Sequence, residues 1–397
     1  MPDAAQNPDV VVVGGGMAGL AAALGLSRNG GRVTLLEQAP EFGEVGAGLQ
    51  LAPNATRLLK EWGLLDEALE RGFQPKHLVF RDAITGEELT RQELGDAYIE
   101  RYGAPYLVIH RSDLHGILLR ACERAGIDLR TGSHVASVET IDGGARVTLS
   151  SGEVIEPGAV IGADGLKSSL RAQVSDDEPV GSAYVAYRGT VDRAGSGHEN
   201  LEDVVVFFGP DCHLVQYPLR GGALLNTVAV FKSKSFESGI EQSPGREELE
   251  EAYADCIPEV RSAIDNLWHG IRWPMYDRNP IPNWVNGRLL LIGDAAHPML
   301  QYLAQGACQA LEDAAVLEQA SAGVFDGSGS WDDAFAQVQE VRTGRTARVQ
   351  ATARQWGESW HVDGIARTLR NLLFKSKRAD DYGYTDWLWG KDAAATR

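Results

Sequence analysis

The sequence predicts an α/β protein: a discontinuous, Rossmann-like nucleotide-binding domain, an inserted antiparallel sheet, and a helical C-terminal region. Three observations carry this. Residues 9–37 read as strand, glycine loop, helix, strand and terminal acid. Two later apolar runs, Ala159-Val160-Ile161 and residues 288–292, each end at a glycine and aspartate: Gly162-Ala163-Asp164-Gly165 and Gly293-Asp294. Between them, from about Val180, four β-rich segments (184–190, 204–208, 213–217 and 224–231) recur at intervals suited to an antiparallel sheet.

The opening unit is the most specific. Val10-Val11-Val12-Val13 suits a strand buried on both faces of a parallel sheet. Gly14, Gly16 and Gly19 follow at dinucleotide spacing: the first permits a tight turn, the second a close backbone approach to pyrophosphate, the third close helix–strand packing. A helix to Arg28 turns its free N–H groups toward phosphate. The strand 33–36 then delivers Glu37, an acid at the reach of a ribose hydroxyl.

Residues 41–50 are glycine-rich and read as a loop. Residues 55–69 have helical periodicity, 79–94 a hairpin turning at Thr85-Gly86, and 106–109 a short strand. Arg111-Ser112-Asp113 opens a helix that Gly126 stops, and 128–155 alternates like a strand meander. Residues 246–267 and 307–320 read as helices, and Ser330 or Asp332 caps a long helix to about Trp360. The nucleotide domain then comprises 1–75, 106–178 and 278–345; the substrate domain 76–105 and 179–277; the C-terminal region 346–397. Arg342, Arg345, Arg348 and Arg354 read as a solvated helix face. Trp356, Trp360, Tyr382, Tyr384, Trp387 and Trp389 read as packing against the body or a second subunit.

Composition bounds the function. The chain has 397 residues, 44% of them hydrophobic, with net charge −18 from 37 basic and 55 acidic residues. That argues against nucleic acid as a partner and for a soluble protein. Cys122, Cys212, Cys256 and Cys308 are scattered, as expected of buried reduced thiols in a cytoplasm, and no metal-ligand spacing occurs. There is no signal-peptide pattern and no apolar run near the roughly 20 residues that span a bilayer.

Taken together, the Gly14/Gly16/Gly19 loop with Glu37, Gly162-Ala163-Asp164-Gly165, and Gly293-Asp294-Ala295-Ala296-His297-Pro298 followed by Gln305-Gly306 resemble the single-component flavin-dependent aromatic hydroxylases, with the p-hydroxybenzoate hydroxylase fold. The resemblance implies FAD as cofactor. Glu37 would bind the adenosine ribose, and Arg111 the chain between ribityl and pyrophosphate. Asp164 and Asp294 would lie along that chain, with Gly306 and Ala307 facing the flavin ring. Within the class the chain is most similar to the 3-hydroxybenzoate 6-hydroxylase group, on 41–50, 79–85, 212–222 and 384–390. This implies NADH and O2 as co-substrates, a flavin hydroperoxide as oxygen donor, and para hydroxylation of 3-hydroxybenzoate to gentisate. Salicylate 1-hydroxylation to catechol and CO2, or a non-oxygenating aromatic-acid flavoprotein, are the alternatives. A homodimer is expected.

One stretch has a local rationale as well. In a strand, His213, Val215 and Tyr217 share a face. His213 and Tyr217, about 13 Å apart at roughly 3.3 Å per residue, could bracket one aromatic ring. The pattern alone better suits an ordinary buried, hydrogen-bonded pair. The resemblance makes His213 the base for a phenol proton and Tyr217 an orienting group. Gln301 stands where the class usually has proline, so its amide could support substrate or oxygenated flavin. Tyr106 could point a hydroxyl to substrate, and Cys308 packs as a small group.

Overall fold

The computed structural model describes residues 9–43, 46–240 and 245–391. The nucleotide-binding sheet has six strands in the order Val285–Asn286, Leu289–Leu291, Ala159–Gly162, Val10–Val13, Val33–Leu36, Asp128–Arg130. All neighbours run parallel except the first pair. Val10–Val13, Val33–Leu36, Ala159–Gly162 and Leu289–Leu291 are buried at every position, as unbroken apolar strands covered on both faces must be. Helix Met17–Arg28 packs between helices Gly306–Asp326 and Arg111–Arg124. The carboxyl ends of the central strands therefore open on one side, where such sheets bind ligands.

The second sheet has seven strands in the order Trp273–Asp277, Val180–Asp192, Leu224–Lys232, Cys212–Leu219, Val204–Gly209, His77–Asp82, Glu88–Glu93. Val204–Gly209 runs parallel to His77–Asp82, which ties the early hairpin to the later strands; the other pairs are antiparallel. Alternation divides its faces. Val185, Tyr187, Phe207, Leu214, Ala229 and Phe231 pack outward on Leu249, Tyr253, Val260 and Ile264. His213, Val215 and Tyr217 point the other way, toward the nucleotide-binding sheet.

Several elements differ from expectation. The helix over 55–69 is two, Pro53–Glu61 and Leu65–Arg71, broken at Gly63 with φ +71°. Residues 246–267 form Glu247–Ala252, Pro258–Ala263 and a 3-10 turn, Ile264–Asn266. Pro258 lacks the N–H that a continuous helix needs and starts the second piece instead. Of the meander, Asp128–Arg130 joins the parallel sheet, while Val135–Ile141, Gly144–Leu149 and Val154–Ile155 pair among themselves. The glycine-rich loop ends in a strand, Gly48–Leu51, paired with Leu107–His110; its Glu44 and Val45 lie outside the described residues.

The arginine face is the main correction. Ser330 does cap helix Trp331–Trp360, accepting from the Asp333 N–H. But the Arg342 side chain is 0% exposed and binds Asp313 and Glu312 on helix Gly306–Asp326, and Arg345 binds Glu312 as well. Arg354 pairs with Asp277 at 2.6 Å, and the Arg348 guanidinium lies 4.2 Å from the Trp387 ring centre. These arginines join the C-terminal helices to the body, because each meets a carboxylate or ring from a distant segment that local sequence does not show. The aromatic tail packs inward too: Trp389 meets Tyr98, Tyr102 and Tyr106 edge-on at 5.8–6.0 Å, though Tyr384 is exposed.

Burial alone raises the Asp313 carboxyl, but His297 and Arg342 outweigh it and hold it down at about 2. Arg342→Met should therefore cost about 3–5 kcal/mol, because it strands buried carboxylates. Urea unfolding checks this. A loss within about 0.5 kcal/mol, the range of an exposed surface change, would contradict it.

Candidate active site

Gly14 closes the strand Val10–Val13 with φ +108°, and a Cβ there would lie 2.3 Å from the Ala163 carbonyl oxygen. Only glycine permits both the dihedral and the approach. At Gly19 a Cβ would fall 1.9 Å from the Gly14 carbonyl oxygen, so the helix sits tight against the loop without reaching the cavity. Gly16 caps that helix and lines the cavity. Glu37 reaches back under the loop: its Oε2 accepts from the Gly15 N–H at 2.7 Å and its Oε1 from the Ala39 N–H at 2.8 Å. His115 holds the loop from behind, its Nε2 2.8 Å from the Gly15 carbonyl oxygen.

These groups border one cavity of about 890 Å3, at the upper end of the size range of small-molecule and cofactor sites. Every residue expected in the site lines it except Gly19: Gly14, Gly16, Glu37, Tyr106, Arg111, Asp164, His213, Tyr217, Asp294, Gln301, Gly306 and Ala307. Asp164 does so with both oxygens already engaged. It accepts from the Ser168 hydroxyl at 2.5 Å and from the Ser169 and Leu170 N–H groups at 2.9 and 3.3 Å, holding the turn before Leu170–Gln173. Asp294 is exposed to the cavity. Its neighbour Gly293, at φ +57°, donates its N–H to Asp313, which also binds His297. The same carboxylate that receives Arg342 thus fixes this loop. Gly306 and Ala307 open the 21-residue helix Gly306–Asp326 at the cavity wall, presenting unpaired N–H groups there.

The opposite wall is the inner face of the seven-stranded sheet, floored by Phe80, Val204, Val206, Val215 and Val228. His213 is 2% exposed, with its Nδ1 2.8 Å from His361 Nε2 and their rings stacked at 5.1 Å. Tyr302 and Trp360 complete a cage around it, at 5.5 and 5.0 Å. Burial, with His361 adding to it, drives the His213 pKa well below the ordinary histidine value, so the imidazole is neutral. Burial likewise raises the Tyr217 and Tyr106 hydroxyls, which stay protonated. The Tyr106 hydroxyl donates to Gln50 Oε1 at 2.7 Å. Gln301 Oε1 accepts from Arg188 Nη2 at 2.9 Å; a guanidinium only donates, so the Gln301 amide NH2 is left for the cavity. Cys308 is fully buried and its thiol pushed up to about 12, which makes it inert packing.

Two site residues carry no role in the sequence reading. His361 follows a long helix with no motif around it. Arg188 did have a signal, as a lone cation in the otherwise β-like run Tyr184-Val185-Ala186-Tyr187-Arg188-Gly189.

A family model described as FAD binding domain matches residues 7–351. The chain belongs to this family. It is an FAD-dependent aromatic hydroxylase, as its curated relatives agree. The 3-hydroxybenzoate 6-hydroxylase of Klebsiella oxytoca is 39% identical, covering 96% of each chain. That of Polaromonas naphthalenivorans (strain CJ2) is 39% identical over 98% of each. A 3-amino-4-hydroxybenzoate 2-monooxygenase of Streptomyces platensis, PtnB3, is 38% identical over 98% of this chain and 97% of its own. Among solved structures, a salicylate hydroxylase substrate complex superposes with TM-score 0.80 at 26% identity, covering 97% of this chain and 96% of that one. Klebsiella pneumoniae HpxO complexed with FAD and uric acid shares the fold, with TM-score 0.84 at 22% identity and coverage of 97% and 96%. The cavity of this FAD-dependent hydroxylase fits the cofactor chemically: a glycine cradle, two helix N-termini and an acid after the second strand converge on it.

Gly14→Ala tests the cradle. Its Cβ forces Gly14 and Ala163 apart, so the variant should lose about 1–3 kcal/mol of stability and bind FAD at least tenfold more weakly. FAD stoichiometry and a fluorescence-quenching titration measure this; full retention of FAD would contradict it.

Proposed function

We propose that this hydroxylase converts 3-hydroxybenzoate to 2,5-dihydroxybenzoate (gentisate), consuming NADH, a proton and O2 and releasing NAD+ and water. The relatives' names supply the substrate. The observation that carries the chemistry is the neutral His213, tied through Nδ1 to His361, on one strand face with Tyr217 and lining one cavity with Gln301.

The Gly14, Gly16 and Gly19 loop and the N-terminal N–H groups of the helix opened by Gly306 and Ala307 would hold FAD. Glu37 would take the adenosine ribose, and Arg111 and Asp294 the ribityl–pyrophosphate chain. Asp164 acts by shaping its turn, since its oxygens are engaged locally. When bound, the flavin supplies the redox chemistry, accepting reducing equivalents from NADH and activating O2. The protein's own groups prepare the ring. His213 accepts the phenol proton at Nε2, which requires its Nδ1–H to donate to His361 Nε2. The resulting phenolate pushes electron density to its para carbon. His361, itself lowered to about 3 by burial and then by Arg370, stays neutral and can accept that bond. The protonated Tyr217 donates to a substrate oxygen, and the Gln301 NH2 supports substrate or the oxygen being transferred. The valine floor and Phe80 keep water out, which the coupling of oxygen activation to transfer requires.

Three outcomes are expected. Wild-type turnover of 3-hydroxybenzoate yields gentisate, which retains the carboxylate; catechol from salicylate, or peroxide alone, would replace this reading. His213→Ala keeps its FAD but loses about 10²–10⁴-fold in coupled hydroxylation, read as product per NADH; coupling near wild type would remove His213 from its role. Because burial depresses the His213 pKa, the base remains in its working form as pH falls through the ordinary histidine range. The acid limb of the kcat/KM profile should therefore lie below about 6.5, and a limb at or above that value would contradict it.

A further inference from the structure

Arg188 is a cation facing the cavity whose charge no carboxylate answers among the described residues. It sits mid-strand in Val180–Asp192, paired with Val228, which pairs in turn with Val215. Arg188 therefore shares the sheet's cavity face with His213 and Tyr217. Two strand spacings place its backbone roughly 10 Å from that of Val215, which lies between them. Among the described residues its hydrogen bond is the one from Nη2 to Gln301, and its Nε is buried without a partner. The guanidinium carbon is 5.7 Å from the Trp273 ring centre. Among the described residues it has no carboxylate partner; the groups acting on it electrostatically are the Tyr217 hydroxyl, which is neutral, and another cation, Arg111. By contrast Arg91 and Arg378, which also line the cavity, pair with Glu88 and Asp380 at 2.6 and 2.9 Å. A guanidinium stays charged when buried, and keeping it without a counter-charge is costly. Its planar fork matches a carboxylate, and several of its N–H groups remain unused.

We propose that Arg188 anchors the carboxylate of the aromatic substrate, while its bond to Gln301 sets the amide of that residue toward the same ligand. This rests on the aromatic-acid reading above. It gives the substrate two fixed ends on one sheet face: carboxylate at Arg188, phenol at His213. The ring carbon presented for oxygen transfer then depends on the position of the hydroxyl relative to the acid. A shift of the hydroxyl from the meta to the ortho carbon would move that carbon, so the anchor is a determinant of regiochemistry as well as affinity.

The test uses the FAD-loaded enzyme and perturbation of its visible flavin spectrum, with two acid–amide pairs as probes: 3-hydroxybenzoate with 3-hydroxybenzamide, and salicylate with salicylamide. Wild type should bind its preferred acid at least tenfold more tightly than the matching amide. Arg188→Gln should lose at least tenfold for the acid and less than threefold for the amide, with FAD affinity and melting temperature near wild type. Arg188→Lys should recover part of the acid preference. The proposal is overturned if wild type does not discriminate acid from amide, if Arg188→Gln weakens both alike or neither, or if it lowers FAD affinity in step, which would make the cofactor its partner. The two readings separate cleanly. Loss of discrimination at Arg188→Gln in the salicylate pair alone keeps the anchor and sinks 3-hydroxybenzoate. Normal gentisate formation with an unchanged acid-to-amide ratio in the variant does the reverse.

Discussion

The site depends on how closely two parallel strands approach at their carboxyl ends. Gly14 lies against Ala163 with no room for a Cβ. That contact brings the first glycine loop and the Asp164 turn to one edge of the sheet, and pairing with Leu289–Leu291 adds the Gly293-Asp294 loop beside them. Three segments far apart in the chain thus end at one cavity, and an extended cofactor can be gripped at several points along its length. A bulkier residue at Gly14 would separate the strands, and one at Gly19 would push the helix off the loop, in either case breaking up the shared edge.

The opposite wall is brought to this edge by packing rather than by the parallel sheet itself. Helix Trp331–Trp360 uses Arg342 and Arg345 to hold Glu312 and Asp313, and Asp313 holds Gly293 and His297. The same helix ends at Trp360 and His361 beside His213. One helix therefore braces a cofactor loop through arginines near its middle and places the histidine pair at its C-terminal end. Ion pairs this deep give little net stability over an apolar core, but they tolerate very few alternative registers. That rigidity suits a site which must hold a ring and a flavin in fixed relation.

Much of this was legible in the chain because the signals are local. Four consecutive valines, glycines at fixed spacing and an acid after the second strand describe a βαβ unit with little dependence on what surrounds it. Strand alternation likewise puts His213 and Tyr217 on one face whatever packs around them. The failures have the opposite origin. The arginines of helix Trp331–Trp360 look solvated because their partners come from a different helix. His361 looks like the end of a helix, and becomes a site residue only because that helix ends against His213. Arg188 gains meaning from having no carboxylate partner among the described residues, a property of the folded molecule that no spacing encodes. Asp164 shows the reverse case: a strand-end carboxylate whose oxygens the local turn consumes.

The most direct measurement is a crystal structure of the enzyme with FAD and 3-hydroxybenzoate bound. FAD should run from the Gly14 loop to the N-terminus of Gly306–Asp326, with the substrate ring on the valine floor and its phenol oxygen about 3 Å from His213 Nε2. A flavin lying elsewhere, or a ring seated away from the His213–Tyr217 face, would contradict the account.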